Sequence, residues 1–195
     1  MDSDFAATGY EGDYASIINT GDATGAACGA LSPASPRAAK AKCWKVTYNV
    51  PGGDAAMPTT GFAGVVWQAN VQPMGGGTYY NNFGVAPGVV PPAGATEVSF
   101  WAKGAVGGEM VMFGVGSTAT APCTDSVVAP AITVSLTTTW TQYTIPFPTP
   151  INYSAGQINA FNWGVAGAAS GTSVSFYFDD VQWDANSSVD AGGGG

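Results

Sequence analysis

The segment SVSFYFDDVQWD, Ser173 to Asp184, decides how the rest of the chain is read. Val174, Phe176 and Phe178 alternate with Ser175 and Tyr177, the period of two that marks a β-strand with one buried face. The same rhythm aims Asp180 at the core side. An isolated buried carboxylate is costly, so Asp180 is expected to have a partner.

Working outward, similar runs recur: CWKVTYNV (43–50), GFAGVVWQ (61–68), ATEVSFWAK (95–103), EMVMFGV (109–115), AITVSL (131–136), TQYTIPF (141–147) and INAFNWGV (158–165). Turn signals PGGD, PMGGG, PPAG, KGAVGGE and AASG separate them. No helical stripe of useful length interrupts the series. Many strands joined by long loops predict an all-β jelly-roll sandwich of two antiparallel sheets. The first forty residues offer one shorter candidate strand and a long Ala/Gly/Ser/Pro loop. Residues 1–184 form one expected domain, and 185–195, with its glycines, reads as a flexible tail.

Parity divides the faces. Val98 and Phe100 share one side, with Glu97, Ser99 and Trp101 on the other. Trp67 and Gln68 point opposite ways unless a bulge intervenes. Trp44, Phe100, Trp140, Phe176 and Phe178 are assigned to core or sheet packing.

Composition removes whole classes of chemistry. The chain has 195 residues, of which 9% are charged, and carries a net charge of −8. Typical domains are about 25% charged. Four of the five basic residues, Arg37, Lys40, Lys42 and Lys45, crowd one segment. Against an acidic background that is a solvated loop and strand edge, not a nucleic-acid site. With no histidine, Ser-His-Asp and Cys-His triads and His-based zinc sites are excluded. The thiols are Cys28, Cys43 and Cys123, with no CxxC. They allow one disulfide. Cys28–Cys43 is the expected pair, with pairing through Cys123 as the alternative, and a bridge would suit an oxidising, extracellular compartment. No stretch is long and apolar enough to span a membrane. Met1 followed by DSD reads as a mature domain rather than a signal peptide.

Several segments together resemble carbohydrate-binding modules with a galactose-binding-like β-jelly roll. CWKVTYN resembles their "lKVtY", GFAGVVWQ their "GWaGVyWQ", and VSFWAKG with the later GGE their "ltFWArG…GGE". TTTWTQYTIPF is similar to "t.eWkqYtIpf", FYFDDVQWD to the terminal "FYiDDi", and GYEGD to "GwmGD". The chain departs from the pattern at Phe62 and Phe83, where tryptophan is more usual. The resemblance implies a non-catalytic, secreted module that holds a polysaccharide and is a monomeric part of a larger protein. It also implies a structural calcium near the chain ends, for which Asp4 of the DSD start and Asp180 are the expected ligands. Calcium takes six to eight oxygens. The alternative role for Asp180 is a turn cap that accepts backbone N–H groups.

Sugar recognition needs aromatic faces for pyranose C–H groups and a few placed polar groups for hydroxyls. Tyr10, Trp67, Tyr79, Tyr80 and Trp163 are the aromatic candidates. The expected site combines Trp67, Gln68, Asn82, Glu109 and Trp163, with Tyr10 and Asp13 at the rim. The loop YYNN (79–82) is a second place to look. Two rival readings remain. One is a jelly-roll glycoside hydrolase using Glu109 with Asp13 or Glu11. The other is a ligand-free adhesion or spacer domain.

Overall fold

The computed structural model describes residues 5–24, 28, 42–52, 61–75, 78–117, 125–148, 151, 153 and 156–184. The strands are β1 (Phe5–Gly12), β2 (Ile17–Thr24), β3 (Lys42–Asn49), β4 (Phe62–Ala69), β5 (Pro73–Gly75), β6 (Thr78–Tyr79), β7 (Glu97–Gly104), β8 (Met110–Val115), β9 (Ala129–Ser135), β10 (Thr141–Pro146), β11 (Asn159–Ala166) and β12 (Ser173–Asp184). A single 3-10 turn, Tyr14–Ser16, joins β1 to β2. Two five-stranded antiparallel sheets result. The front sheet runs β1-β4-β11-β8-β9 and the back sheet β10-β7-β12-β3-β2, while β5 and β6 form a separate small hairpin. This is the expected jelly-roll β-sandwich. The early chain supplies two edge strands, β1 and β2, where the sequence pattern predicts one.

The sheets meet through their aromatic faces. From the front come Val65 and Trp67 of β4, Phe161 and Trp163 of β11, and Val111 and Phe113 of β8. From the back come Val46 and Tyr48 of β3, Val98 and Phe100 of β7, and Phe176 and Phe178 of β12. Ring centroids lie 4.6 Å apart for Phe100–Phe113, 5.2 Å for Trp163–Phe176 and 5.3 Å for Trp67–Phe178. Each such ring contributes about 1.5–3 kcal/mol of burial. Edge-on and tilted contacts add to it through the aromatic quadrupole.

The central strand of the back sheet explains the acidic pair. Register against β7 is regular from Phe176 to Asp179, then shifts between Asp179 and Gln182. Asp180 takes a left-handed backbone with φ 49°. Its N–H donates to Asp179 Oδ1 at 2.8 Å. Asp180 is therefore the inserted residue of a β-bulge, not a core-facing member of the alternation. Beyond it the phase is reset, and Val181 and Trp183 pack against the core. Trp183 lies 4.9 Å from Phe147.

The disulfide joins Cys28 to Cys43 at the start of β3, with a Cα–Cα distance of 5.6 Å. It packs with Tyr177 and Trp140 in a second, smaller cluster. Trp140 thus belongs to the outer side of the back sheet and not to the main core. Lys103, the cross-strand neighbour of Tyr177, places its ammonium 5.0 Å from the Tyr177 ring and 5.2 Å from that of Trp140. Burial among these rings lowers the Lys103 pKa, and the cation–π attraction opposes that cost.

The bridge closes a loop of 15 residues in sequence. The Cys28→Ser/Cys43→Ser double variant should lose about 3 kcal/mol of unfolding free energy, the chain-entropy value for such a loop. Urea denaturation measures it.

Candidate functional site

On the outer face of the front sheet, small residues leave room for a ring to lie against the strands. Register aligns a row across its strands: Glu11 of β1 opposite Gly64 of β4, Gly64 opposite Gly164 of β11, Gly164 opposite Met112 of β8, and Met112 opposite Thr133 of β9. The two glycines admit the Phe62 ring. A Cβ at Gly164 would stand 3.1 Å from Phe62 Cε2 and 3.2 Å from Met112 Cε, and one at Gly64 would stand 3.2 Å from Phe62 Cζ. Phe62 therefore lies over both glycines, and the Met112 methyl also stands over Gly164. Met110 (50% exposed) and Met112 (38%) extend this apolar floor. Glu11 is exposed at one end of the row and Thr133 at the other.

In the neighbouring row, half-buried Asn162 faces Val66 on one side and Gly114 on the other. Its amide donates to the Gly116 carbonyl at 3.0 Å, which fixes its oxygen over Gly114. Five strands at about 4.8 Å spacing make a surface about 19 Å across, long enough for an oligosaccharide. Flat apolar area with acid, amide and hydroxyl groups at its margins is the combination that sugar rings require.

The expected tryptophans are not on this surface. Trp67 and Trp163 are each 1% exposed. Trp67 is enclosed by Trp44, Phe161 and Phe178, and Trp163 packs edge-on to Phe176. Neither ring has a face open to a ligand. Parity decided this: the strands' inner positions carry the large rings, and their outer positions carry Gly64, Val66, Asn162 and Gly164.

Gln68 and Asn82 are also enclosed, and the reason is a buried amide network. Gln68 is 0% exposed. Its Oε1 accepts from Thr8 Oγ1 (2.9 Å) and from the Asn82 N–H (3.0 Å). Its Nε2 donates to the Asn82 carbonyl (3.2 Å) and to Asn159 Oδ1 (2.9 Å). Asn159 Nδ2 donates in turn to Asp125 Oδ2 at 2.8 Å. Asp125 also accepts the N–H groups of Ser117, Ile158 and Asn159. Every hydrogen-bonding position of the Gln68 amide is used inside the protein, so none remains for a hydroxyl. A fully satisfied network of this kind specifies one arrangement of the surrounding loops.

Glu109 and Asp13 organise turns. Glu109, 9% exposed, folds back so that Oε1 accepts the Val106 N–H at 2.8 Å. Its carboxylate lies on Gly104, where any Cβ would collide with Oε2. Asp13 Oδ2 accepts from Tyr48 Oη at 2.6 Å and from the Gly61 N–H at 3.1 Å, tying the end of β1 to both sheets. Of the expected site residues Tyr10, on edge strand β1, is the most open at 39% exposed, and Asp13 is half-buried. Cys123 and Asp4 lie outside the described residues, as does the Tyr79 side chain.

No protein-family model and no curated protein matches the chain. Among solved structures it is similar to several carbohydrate-binding modules. One is the family 30 module of a cellulosomal cellulase of Clostridium thermocellum, with TM-score 0.48 and 10% identity over 92% of this chain and 91% of that one. Another is the family 11 module from Clostridium thermocellum in complex with a β-1,3-1,4-mixed-linked tetrasaccharide, with TM-score 0.44 and 10% identity over 91% and 86%. A third is TmCBM61 in complex with β-1,4-galactotriose, with TM-score 0.44 and 16% identity over 88% and 83%.

Because Trp163 is a core ring, Trp163→Ala should destabilise the fold by about 3–5 kcal/mol, the usual result of emptying an aromatic site. A melting curve checks it. A variant of unchanged stability would mean that the ring is not packed as described.

Proposed function

We propose that this chain is a secreted, non-catalytic carbohydrate-binding module that holds a polysaccharide across the outer face of its front sheet. The observation that carries the reading is the row Glu11–Gly64–Gly164–Met112–Thr133 with Phe62 laid over its glycines. Phe62 and the two methionines offer apolar area to the C–H faces of sugar rings. Glu11, Asn162 and Thr133 offer acceptors and donors to their hydroxyls. Tyr10 precedes Glu11 on the same edge strand and pairs with core-facing Val65, so it points to the other side of the strand and is not part of this face.

The arrangement of carboxylates supports binding over hydrolysis. Glu11 and Asp13 belong to β1 and its end, whereas Glu109 leads into β8, three strand spacings away in the sheet. At about 4.8 Å per spacing this is about 14 Å, beyond the roughly 5–9.5 Å that separates paired glycosidase carboxylates. Asp13 and Glu109 are moreover engaged by backbone and tyrosine donors. The Cys28–Cys43 bridge supports an oxidising compartment.

The test is affinity electrophoresis against a panel of soluble β-glucans, xylans, mannans and galactans. The parent should be retarded by at least one of them, and Phe62→Ala should abolish the retardation while melting as a cooperative fold. Retardation by none would favour a spacer domain. Release of reducing sugar on long incubation would favour a hydrolase.

We also propose that calcium is held at the β12 bulge by Asp180 together with Asp4. Asp179 and Asp180 are 3% and 6% exposed, adjacent carboxylates that fit part of a calcium shell. Among the described residues no group of three metal-ligating side chains gathers there, and Asp4 lies outside them. Bound calcium would supply charge neutralisation and cross-linking of the chain ends. Binding to the native state raises stability by mass action, about 2.7 kcal/mol at a hundredfold excess over Kd. Protein loaded with calcium should therefore melt at a lower temperature after EDTA treatment, and an unchanged Tm would count against the ion.

A further inference from the structure

At the far end of β4 from the glycine row, the connection to β7 forms a half-open cavity of about 440 Å³. It is lined by Asn70, Gln72, Tyr80, Asn81, Val85 and Ala86, with Asn82 at its base. Asn70 is six residues beyond Gly64, about 20 Å along an extended strand, so the cavity is separate from the sheet face.

The lining is rigidly held from beneath. Asn82 Nδ2 donates to the carbonyls of Ala69 (2.7 Å) and Ala86 (3.1 Å), and its Oδ1 accepts the Ala86 N–H at 3.0 Å. Asn70 Nδ2 donates to the Pro87 carbonyl at 2.7 Å, and the Tyr80 N–H donates to the Gln72 carbonyl at 2.9 Å. The buried Gln68 amide grips the Asn82 backbone from both sides. These bonds close the loop on itself without engaging the groups that face outward. Among the described residues, the side chains of Gln72, Tyr80 and Asn81 make no hydrogen bond. Tyr80 is 56% exposed and Val85 85%.

We propose that this cavity is a second binding site, for a single neutral pyranose or the end of a short oligosaccharide. Its volume falls within the roughly 300–1,000 Å³ of small-molecule pockets. No acidic or basic side chain lines it, so it has no partner for an ionic ligand. The Tyr80 ring with Val85 provides a surface for the C–H side of a sugar. The pocket surface is mostly apolar, and the amides of Gln72 and Asn81 are its donors and acceptors for hydroxyls. A preformed loop carries little ordering cost on binding. The proposal stands apart from the sheet-face reading, because it uses none of the same residues.

The experiment is an amide chemical-shift titration of the full chain with the methyl β-pyranosides of glucose, galactose, mannose and xylose. At least one should move the backbone signals of Asn81, Val85 and Ala86 and the side-chain NH₂ signals of Gln72 and Asn81. Tyr80→Ala should weaken that response at least about tenfold. Val85→Arg, at an exposed position in the mouth, should also suppress it, while Phe62→Ala should leave it intact. The proposal is overturned if no sugar moves these signals, if shifts occur only at Glu11, Gly64 and Gly164, or if Tyr80→Ala binds as the parent does. Loss of polysaccharide retardation in Phe62→Ala alongside an unresponsive cavity would sink this site and leave the sheet face standing.

Discussion

The aromatic seam between the two sheets is the constraint on which everything else rests. Phe113, Phe161 and Trp163 from the front interlock with Phe100, Phe176 and Phe178 from the back, and Trp67 is wedged between Trp44 and Phe178. So few charged residues and so many glycines leave little else to hold a domain of this size together. Trp67 and Trp163, which the sequence pointed to as site rings, are therefore already committed to the core. The outward side of the same strands is made differently. There the side chains are small, and one phenylalanine and two methionines stand above them.

The buried amide network has the same logic at a different place. A sandwich of edge strands and long loops needs its connections fixed. Gln68, Asn82, Asn159 and Asp125 do that with hydrogen bonds shielded from water, where an unmet polar group would be costly. The result is a loop that keeps its shape and a cavity with its outward groups still available. Glu109 on Gly104, and Asp13 between Tyr48 and Gly61, repeat the pattern. In each case a polar residue that looks chemical in the sequence is holding a turn.

This separates two kinds of residue that composition alone confuses. An amide beside a tryptophan, as in Trp67–Gln68, suggests a ligand site because both chemistries suit a sugar. Successive strand residues, however, face opposite sides. If Trp67 is in the core, Gln68 is outward, and its fate depends on what covers that side. Here the loop of residues 80–86 covers it. Four residues back along β4, at Gly64, the cover is the Phe62 ring instead of a loop.

Alternation by itself determined the class of fold, the eight long strands from 43 to 183 and the inward side of most of them. A buried face must repeat every second residue, and that is written in the chain. The Phe176–Phe178 rhythm and the turn glycines made this legible. Tertiary structure alone decided the rest. The glycine row exists only because register brings Gly64 against Gly164 and Gly164 against Met112, residues far apart in sequence. The bulge at Asp180 shifted the phase of β12 because pairing with β7 slipped by a residue, which the linear pattern does not encode. Trp67, Trp163, Gln68 and Asn82 were enclosed by neighbours on other strands and loops. Period and turn chemistry are local properties, whereas register and coverage are properties of pairs of distant segments.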